Sequence, residues 1–163
     1  MASTRSGRSR RAGDARAGTD SVLVLHGPNL NLLGTADPAR LGNETLSEVD
    51  ARLVREAARR GVRLSAFQSN HEGALVDRVH AARDEGVRFV IVNPGSLAPG
   101  SVALRDALVA TGIAYIEVDL ANRCAAGQDP GSRLSAGALG TIWGLGSRGY
   151  DFALAFALAR LAG

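Results

Sequence analysis

The stretch Ser21-Val-Leu-Val-Leu-His26, running straight into Gly27-Pro28-Asn29, decides the fold. Four consecutive Val and Leu residues, too few for a buried helix and stopped by Gly-Pro-Asn, read as a buried strand that delivers its carboxyl end into a loop. Working outward, Leu30 to Asn43 holds Gly34, Pro38 and Gly42, which exclude a helix and predict a long loop. Thr45 and Glu48 then stand at capping-box spacing, and Leu46, Val49, Leu53 and Ala57 repeat at helical period up to Gly61.

The same unit recurs down the chain. Val62 to Phe67 reads as a strand, Gln68 to His71 as a polar loop, Glu72 to Glu85 as a helix with Leu75, Val79 and Ala82 on one face, and Arg88 to Val92 as a third strand. The Pro/Gly-rich segment Asn93 to Gly100 precedes a helix from Ser101 to Ala110 and a strand from Ala114 to Val118. Asp119 to Gly137 reads as irregular, Ala138 to Trp143 as a weak fifth strand, and Ser147 to Leu161 as a closing helix with Phe152, Phe156 and Ala159 inward. Alternating strands and helices with near-continuous apolar strands predict an α/β domain: a parallel sheet covered on both faces, with right-handed crossovers. Five strands suit the order 2-1-3-4-5, in which the ligand crevice lies beyond the carboxyl ends of the strands, at the switch between the first and third. The loops that meet there carry His26 to Asn31, Gln68 to His71, Asn93 to Gly100 and Asp119 to Arg123.

Charge and composition narrow the class. Five arginines against two aspartates give residues 1–20 the whole +3 surplus of the chain, so residues 21–163 are neutral overall. The Ser/Gly/Arg-rich segment 1–20 is expected to be a disordered basic tail preceding a domain at 21–163. Its lack of aromatic residues for base stacking argues against nucleic acid as a partner. No run approaches twenty apolar residues and the amino terminus is charged, so no membrane or secreted protein is expected; the single cysteine, Cys124, fits a reducing cytoplasmic setting. With 19 arginines and no lysine, imine chemistry and a P-loop lysine are excluded.

Four segments carry a resemblance: HGPNLNLLG at 26–34, QSNHEG at 68–73, NPGSLAPGSVALRDAL at 93–108 and IEVDLAN at 116–122, closed by GLGSRGY at 144–150. In this order and at this spacing they resemble the type II dehydroquinases, from Ser21 to Gly163. The resemblance implies a flavodoxin-like three-layer sandwich, a dodecamer built from four trimers, no metal or organic cofactor, and elimination of water from a cyclic β-hydroxyketone through an enolate. It also implies a small-molecule substrate that is a carboxylate or cyclic ketone.

Position by position, the resemblance implies an altered site. The family's loop tyrosinate, which removes the proton, corresponds to Leu41, and the arginine that lowers that tyrosine's pKa corresponds to Ala36. Its histidine acid corresponds to Asp119, a serine that helps bind the substrate carboxylate to Ala121, and a second histidine to Pro99; a further arginine finds no counterpart in 125–131. Asn29, which in the family holds a water near the enolate oxygen, is retained, as are Asn93, Glu117 and Asp106, the last at a subunit interface. Asn93 with the backbone amides of Leu120 and Ala121 is expected to cradle a carboxylate. Glu117 and Asp119, two apart on a strand and facing one way, are expected to couple, so that one carboxyl has a raised pKa and acts as acid or base near neutral pH; a solvated aspartate that caps the strand end is the alternative. Arg40 is a candidate replacement for the loop arginine, Arg105 and Asp106 a candidate interface ion pair, and His26 and His71 are expected to hydrogen-bond within their loops while His80 lies on the surface.

The replacements predict a lyase or dehydratase repurposed for a less hydroxylated substrate of specialised metabolism. A catalytically silent scaffold or ligand-binding homologue is the alternative from another class. Ordinary 3-dehydroquinate dehydration in a rebuilt site is the third reading, placed last because each acid/base group typically contributes about 10²- to 10⁴-fold.

Overall fold

A computed structural model describes residues 20–35, 42–123 and 131–163. The tail, Ala36, Arg40, Leu41 and Cys124, on all of which expectations fell, lie outside the described residues. The sheet is five-stranded and parallel in the order β2-β1-β3-β4-β5, formed by β1 (Ser21–His26), β2 (Arg63–Gln68), β3 (Phe89–Asn93), β4 (Ala114–Asp119) and β5 (Thr141–Trp143). Among the described residues four α-helices cover it: α1 (Leu46–Arg59), α2 (Glu72–Asp84), α3 (Val102–Thr111) and α4 (Arg148–Ala162). This is the flavodoxin-like α/β arrangement that the apolar strand runs predict.

Side chains that alternate along each strand divide the core into two layers. Val22, Val24, Phe89, Ile91, Ile116 and Val118 pack beneath α1 and α4 with Val49, Leu53 and Leu154. Leu23, Leu25, Val90, Val92 and Tyr115 pack on the other side with Leu75, Val79, Leu104 and Leu108. Every residue of β1 is buried, as its unbroken apolar run requires, whereas the edge strand β2 is largely exposed. The capping box at the start of α1 forms as the spacing predicts: Glu48 N–H donates to Thr45 Oγ1 at 3.3 Å and Thr45 N–H to Glu48 Oε2 at 2.8 Å.

Two expectations are corrected. β5 is only Thr141–Trp143, because a short 3-10 turn over Ser135–Gly137 occupies the approach to it. The inward face of α4 is Gly149, Tyr150, Ala153, Leu154, Ala157 and Leu158, while Phe152 and Phe156 are 59% and 46% exposed and Ala159 also faces out. Close approach explains the reversal. A Cβ at Gly149 would stand 3.2 Å from Val118 Cγ1, so the helix seats on the sheet through glycine and alanine and leaves no depth there for a phenyl ring.

Candidate functional site

The loops after β1, β3 and β4 converge at the carboxyl end of the sheet because two glycines let their backbones touch. Gly27 N–H donates to Asn93 O at 2.8 Å, and a Cβ on Gly27 would sit 2.2 Å from Pro94 O. Gly95 returns the approach at φ +56°, where a Cβ would stand 3.1 Å from Pro28 O. Asn29 is the one described non-glycine residue at positive φ, 67°, and its N–H donates to Asn70 Oδ1 at 2.9 Å. Gln68 Nε2 donates to Gly27 O at 3.2 Å, which ties the loop after β2 into the same knot.

These loops enclose a cavity of about 230 Å³ lined by Pro28, Asn29, Leu30, Asn93, Gly95, Ser96, Asp119, Leu120, Ala121 and Arg123. That is below the roughly 300–1,000 Å³ of pockets for drug-sized ligands, a size that suits a small molecule. A larger groove of about 550 Å³ opens at the opposite end of the strands, lined by Arg83, Arg88 and Arg160 among others. Arg83 and Arg160 sit in the last turns of α2 and α4, where cations balance the helix dipole, so the groove has a sufficient structural reason.

Asp119 is the one carboxyl on the wall of the smaller cavity among the described residues. It is 8% exposed and fully engaged: Ala121 N–H donates to Oδ1 at 2.9 Å, and Arg123 Nε donates to Oδ2. Arg123 also donates from Nη2 to Gly95 O at 2.8 Å, bridging the loops after β3 and β4. Arg123 is a site residue the sequence reading did not single out, although its spacing of four from Asp119 was visible.

The remaining predicted residues scatter. Asn29, Asn93, Leu120 and Ala121 line the cavity with Asp119. Glu117 does not: buried at 1% exposure beneath the 131–138 segment, it accepts from Ser135 Oγ at 2.7 Å. Burial raises its pKa, partly offset by hydrogen bonds from Ser132 and Ser135 and by the Arg123 charge, with Asp119 the smallest contributor. A raised carboxyl is thus present as expected, but burial is its first cause and the neighbouring Asp119 its last, and Glu117 stands off the cavity wall. Of the expected amide cradle, the Ala121 N–H is engaged by Asp119, while Asn93 and Leu120 line the cavity. Pro99 is exposed, its carbonyl accepting from Arg133 Nε at 3.3 Å, and Asp106 is exposed on α3 in an ion pair with Arg105 at 2.6 Å within this chain.

His26, expected to hydrogen-bond within its loop, is instead fully buried and hydrogen-bonded to side chains of two helices, Tyr150 Oη at 2.8 Å and Asp50 Oδ1 at 2.9 Å. His71 keeps to its loop, with its N–H donating to Ser69 Oγ at 2.9 Å, and His80 is exposed. Neither buried phenol is placed to act as a base. Burial pushes Tyr115 up to about 12 while its hydroxyl donates to Leu134 O at 2.5 Å, and burial pushes Tyr150 higher still. Among the described residues no group of three His, Cys, Asp or Glu could hold a metal ion, and no helix is long and apolar enough to cross a membrane.

The family model Dehydroquinase class II matches residues 20–158, nearly all of the described domain. The chain belongs to this family. Two dehydroquinase relatives, both named 3-dehydroquinate dehydratase, stand at about half identity. The protein of Ralstonia pickettii is 53% identical over 146 residues, 88% of this chain and 93% of that one. That of Halorhodospira halophila is 51% identical over 145 residues, covering 87% and 97%. Among solved structures, the type II dehydroquinase of Propionibacterium acnes superposes with a TM-score of 0.80 at 33% identity, covering 86% of this chain and 97% of that one. The expected change of substrate gains no support from these relatives; of the three functional readings, ordinary dehydroquinate dehydration fits them better.

Proposed function

We propose that this chain is a hydro-lyase that removes water from 3-dehydroquinate in the cavity between the loops after β1, β3 and β4. The observation that carries the reading is the Asp119–Arg123 pair on the cavity wall, in a chain about half identical to proteins named for that reaction. Elimination from a β-hydroxyketone needs a group to exchange protons and a positive partner for the enolate oxygen. Asp119 is the proton-exchanging group in this reading. Arg123, permanently charged, faces the oxyanion or the substrate carboxylate, and the Asn29 and Asn93 amides orient the ring hydroxyls.

The expected dodecamer of four trimers belongs to the same reading. The test is direct. The full chain is incubated with 3-dehydroquinate and the absorbance of the conjugated enone product is followed. A steady rise proportional to enzyme supports the reading; a flat trace at high enzyme concentration overturns it and leaves the silent ligand-binding homologue, which the full engagement of Asp119 by Arg123 and Ala121 would then explain.

A further inference from the structure

Behind the cavity wall, four polar side chains from four elements form a continuous line through the core: Asn93 at the end of β3, Tyr150 on α4, His26 at the end of β1 and Asp50 on α1. Asn93, Tyr150 and His26 are all buried at 1% exposure or less, so every hydrogen on them needs a partner. Asp50 is 27% exposed at its side chain and is where the line meets solvent.

The sense of each bond follows from one fixed donor. A backbone N–H can only donate, so the Asn93 atom 3.1 Å from Gly95 N is Oδ1. Asn93 Nδ2 then faces Tyr150 Oη at 3.0 Å and donates to it. The phenol is neutral, since burial drives its pKa upward, and it holds one proton, which goes to His26 Nδ1 at 2.8 Å. Nδ1 is thereby an acceptor, so His26 carries its proton on Nε2 and donates it to Asp50 Oδ1 at 2.9 Å. A His26 that carried its proton on Nδ1 would leave the Tyr150 hydroxyl hydrogen without an acceptor in the core.

We infer that Asp50, His26 and Tyr150 are positioning residues that hold the Asn93 carboxamide in one orientation at the cavity. Asn93 and Gly95 both line the cavity, so a flipped or rotating Asn93 would present the wrong group to a ligand and release the Gly95 N–H. None of the three touches the reacting atoms; they act through Asn93. The consequence for turnover rests on the hydro-lyase reading, whereas the hydrogen-bond order does not.

The test therefore has two arms. In long-range ¹H–¹⁵N spectra of the full chain, His26 is expected as the Nε2–H tautomer. In Tyr150→Phe the Asn93 side-chain amide protons are expected to broaden and the Gly95 N–H to exchange at least tenfold faster, while strand amides such as Leu23 keep their protection. Asp50→Ala, at the partly exposed end, is expected to keep the Nε2–H tautomer that Tyr150 dictates while leaving that proton open to fast exchange with solvent, and Asp50→Asn, whose Oδ1 still accepts, to restore its protection; this pair serves if Tyr150→Phe does not fold. A His26 in the Nδ1–H form, or Asn93 and Gly95 signals unmoved in Tyr150→Phe, overturns the inference whatever the enzyme does. The second arm measures dehydration in Tyr150→Phe, Asn93→Ala and the double variant. Positioning predicts that kcat in the double variant is no lower than in Asn93→Ala alone, while multiplying losses would mark Tyr150 as acting independently of Asn93 and overturn its assignment.

Discussion

Replacing Gly27 by alanine strikes the contact on which the cavity depends. The added Cβ would stand 2.2 Å from Pro94 O, 2.6 Å from Pro94 C and 3.2 Å from Asn93 O, all backbone atoms that cannot rotate aside. Relief needs a displacement of about 1 Å between the loops after β1 and β3. Overpacking of that kind costs about 1–3 kcal/mol, and losing the 2.8 Å bond from Gly27 N–H to Asn93 O adds about 0.5–1.5 kcal/mol. The expected destabilisation is about 2–4 kcal/mol, or roughly 5–15 °C in Tm. A 1 Å shift of Asn93 and Gly95 is further expected to cost up to about 10²-fold in turnover. Gly73→Ala is the matched control. It lies on α2 with nothing within 4 Å of the new Cβ, so it is expected to be neutral or stabilising by about 0.5–1 kcal/mol. Urea unfolding of the two variants beside the parent, with dehydration rates on the same samples, gives the answer. Equal midpoints for Gly27→Ala and Gly73→Ala, with full activity in both, would refute the reasoning that the loops interlock through Gly27.

Other expectations follow from the same geometry. Glu117 has its folded pKa raised above the unfolded value of 4.5, so its contribution to stability is complete below 4.5 and is lost as pH rises through the folded value. Glu117→Gln lacks that loss, and the stability of the parent minus that of the variant, measured by urea unfolding across this window, is expected to fall as pH rises; a difference independent of pH would speak against it. Arg123→Ala removes both the bridge to Gly95 O and the positive charge paired with Asp119, and is expected to weaken dehydroquinate binding or turnover by at least about tenfold, with Arg123→Lys restoring only part because one ammonium cannot reproduce the planar fork. Thr45→Ala breaks the capping box of α1 and is expected to cost about 1 kcal/mol in chemical denaturation without changing turnover.

Much of the architecture was legible because it rests on local signals. Uninterrupted apolar runs marked the buried strands, and the Thr45–Glu48 pair marked the start of α1. The inward face of α4 was misread because hydropathy ranks phenylalanine above alanine, while the sheet surface selects for size: Gly149, Ala153 and Ala157 fit where Phe152 and Phe156 do not. At the site, the loops that carry Asn29, Asn93 and Asp119 could be placed from strand ends, and the resemblance singled out the three residues within them. The partners of Glu117 and His26 could not be placed. Ser135 lies 18 residues from Glu117, and Tyr150 lies 124 residues from His26, distances over which a single sequence gives no sign of contact. Arg123 was within reach, four residues after Asp119, but that spacing signals an ion pair only on a helix, and the segment after β4 carries no helical period.

The most direct measurement compares the parent chain with Asp119→Asn, a substitution that keeps size and the bond from Ala121 N–H while removing the carboxylate, in a 3-dehydroquinate dehydration assay on folded, oligomer-matched samples. An active parent and a variant slower by about 10²- to 10⁴-fold is the predicted result. A parent that forms no enone, or a variant as fast as the parent, would contradict the assignment of the reaction to this cavity and this carboxylate.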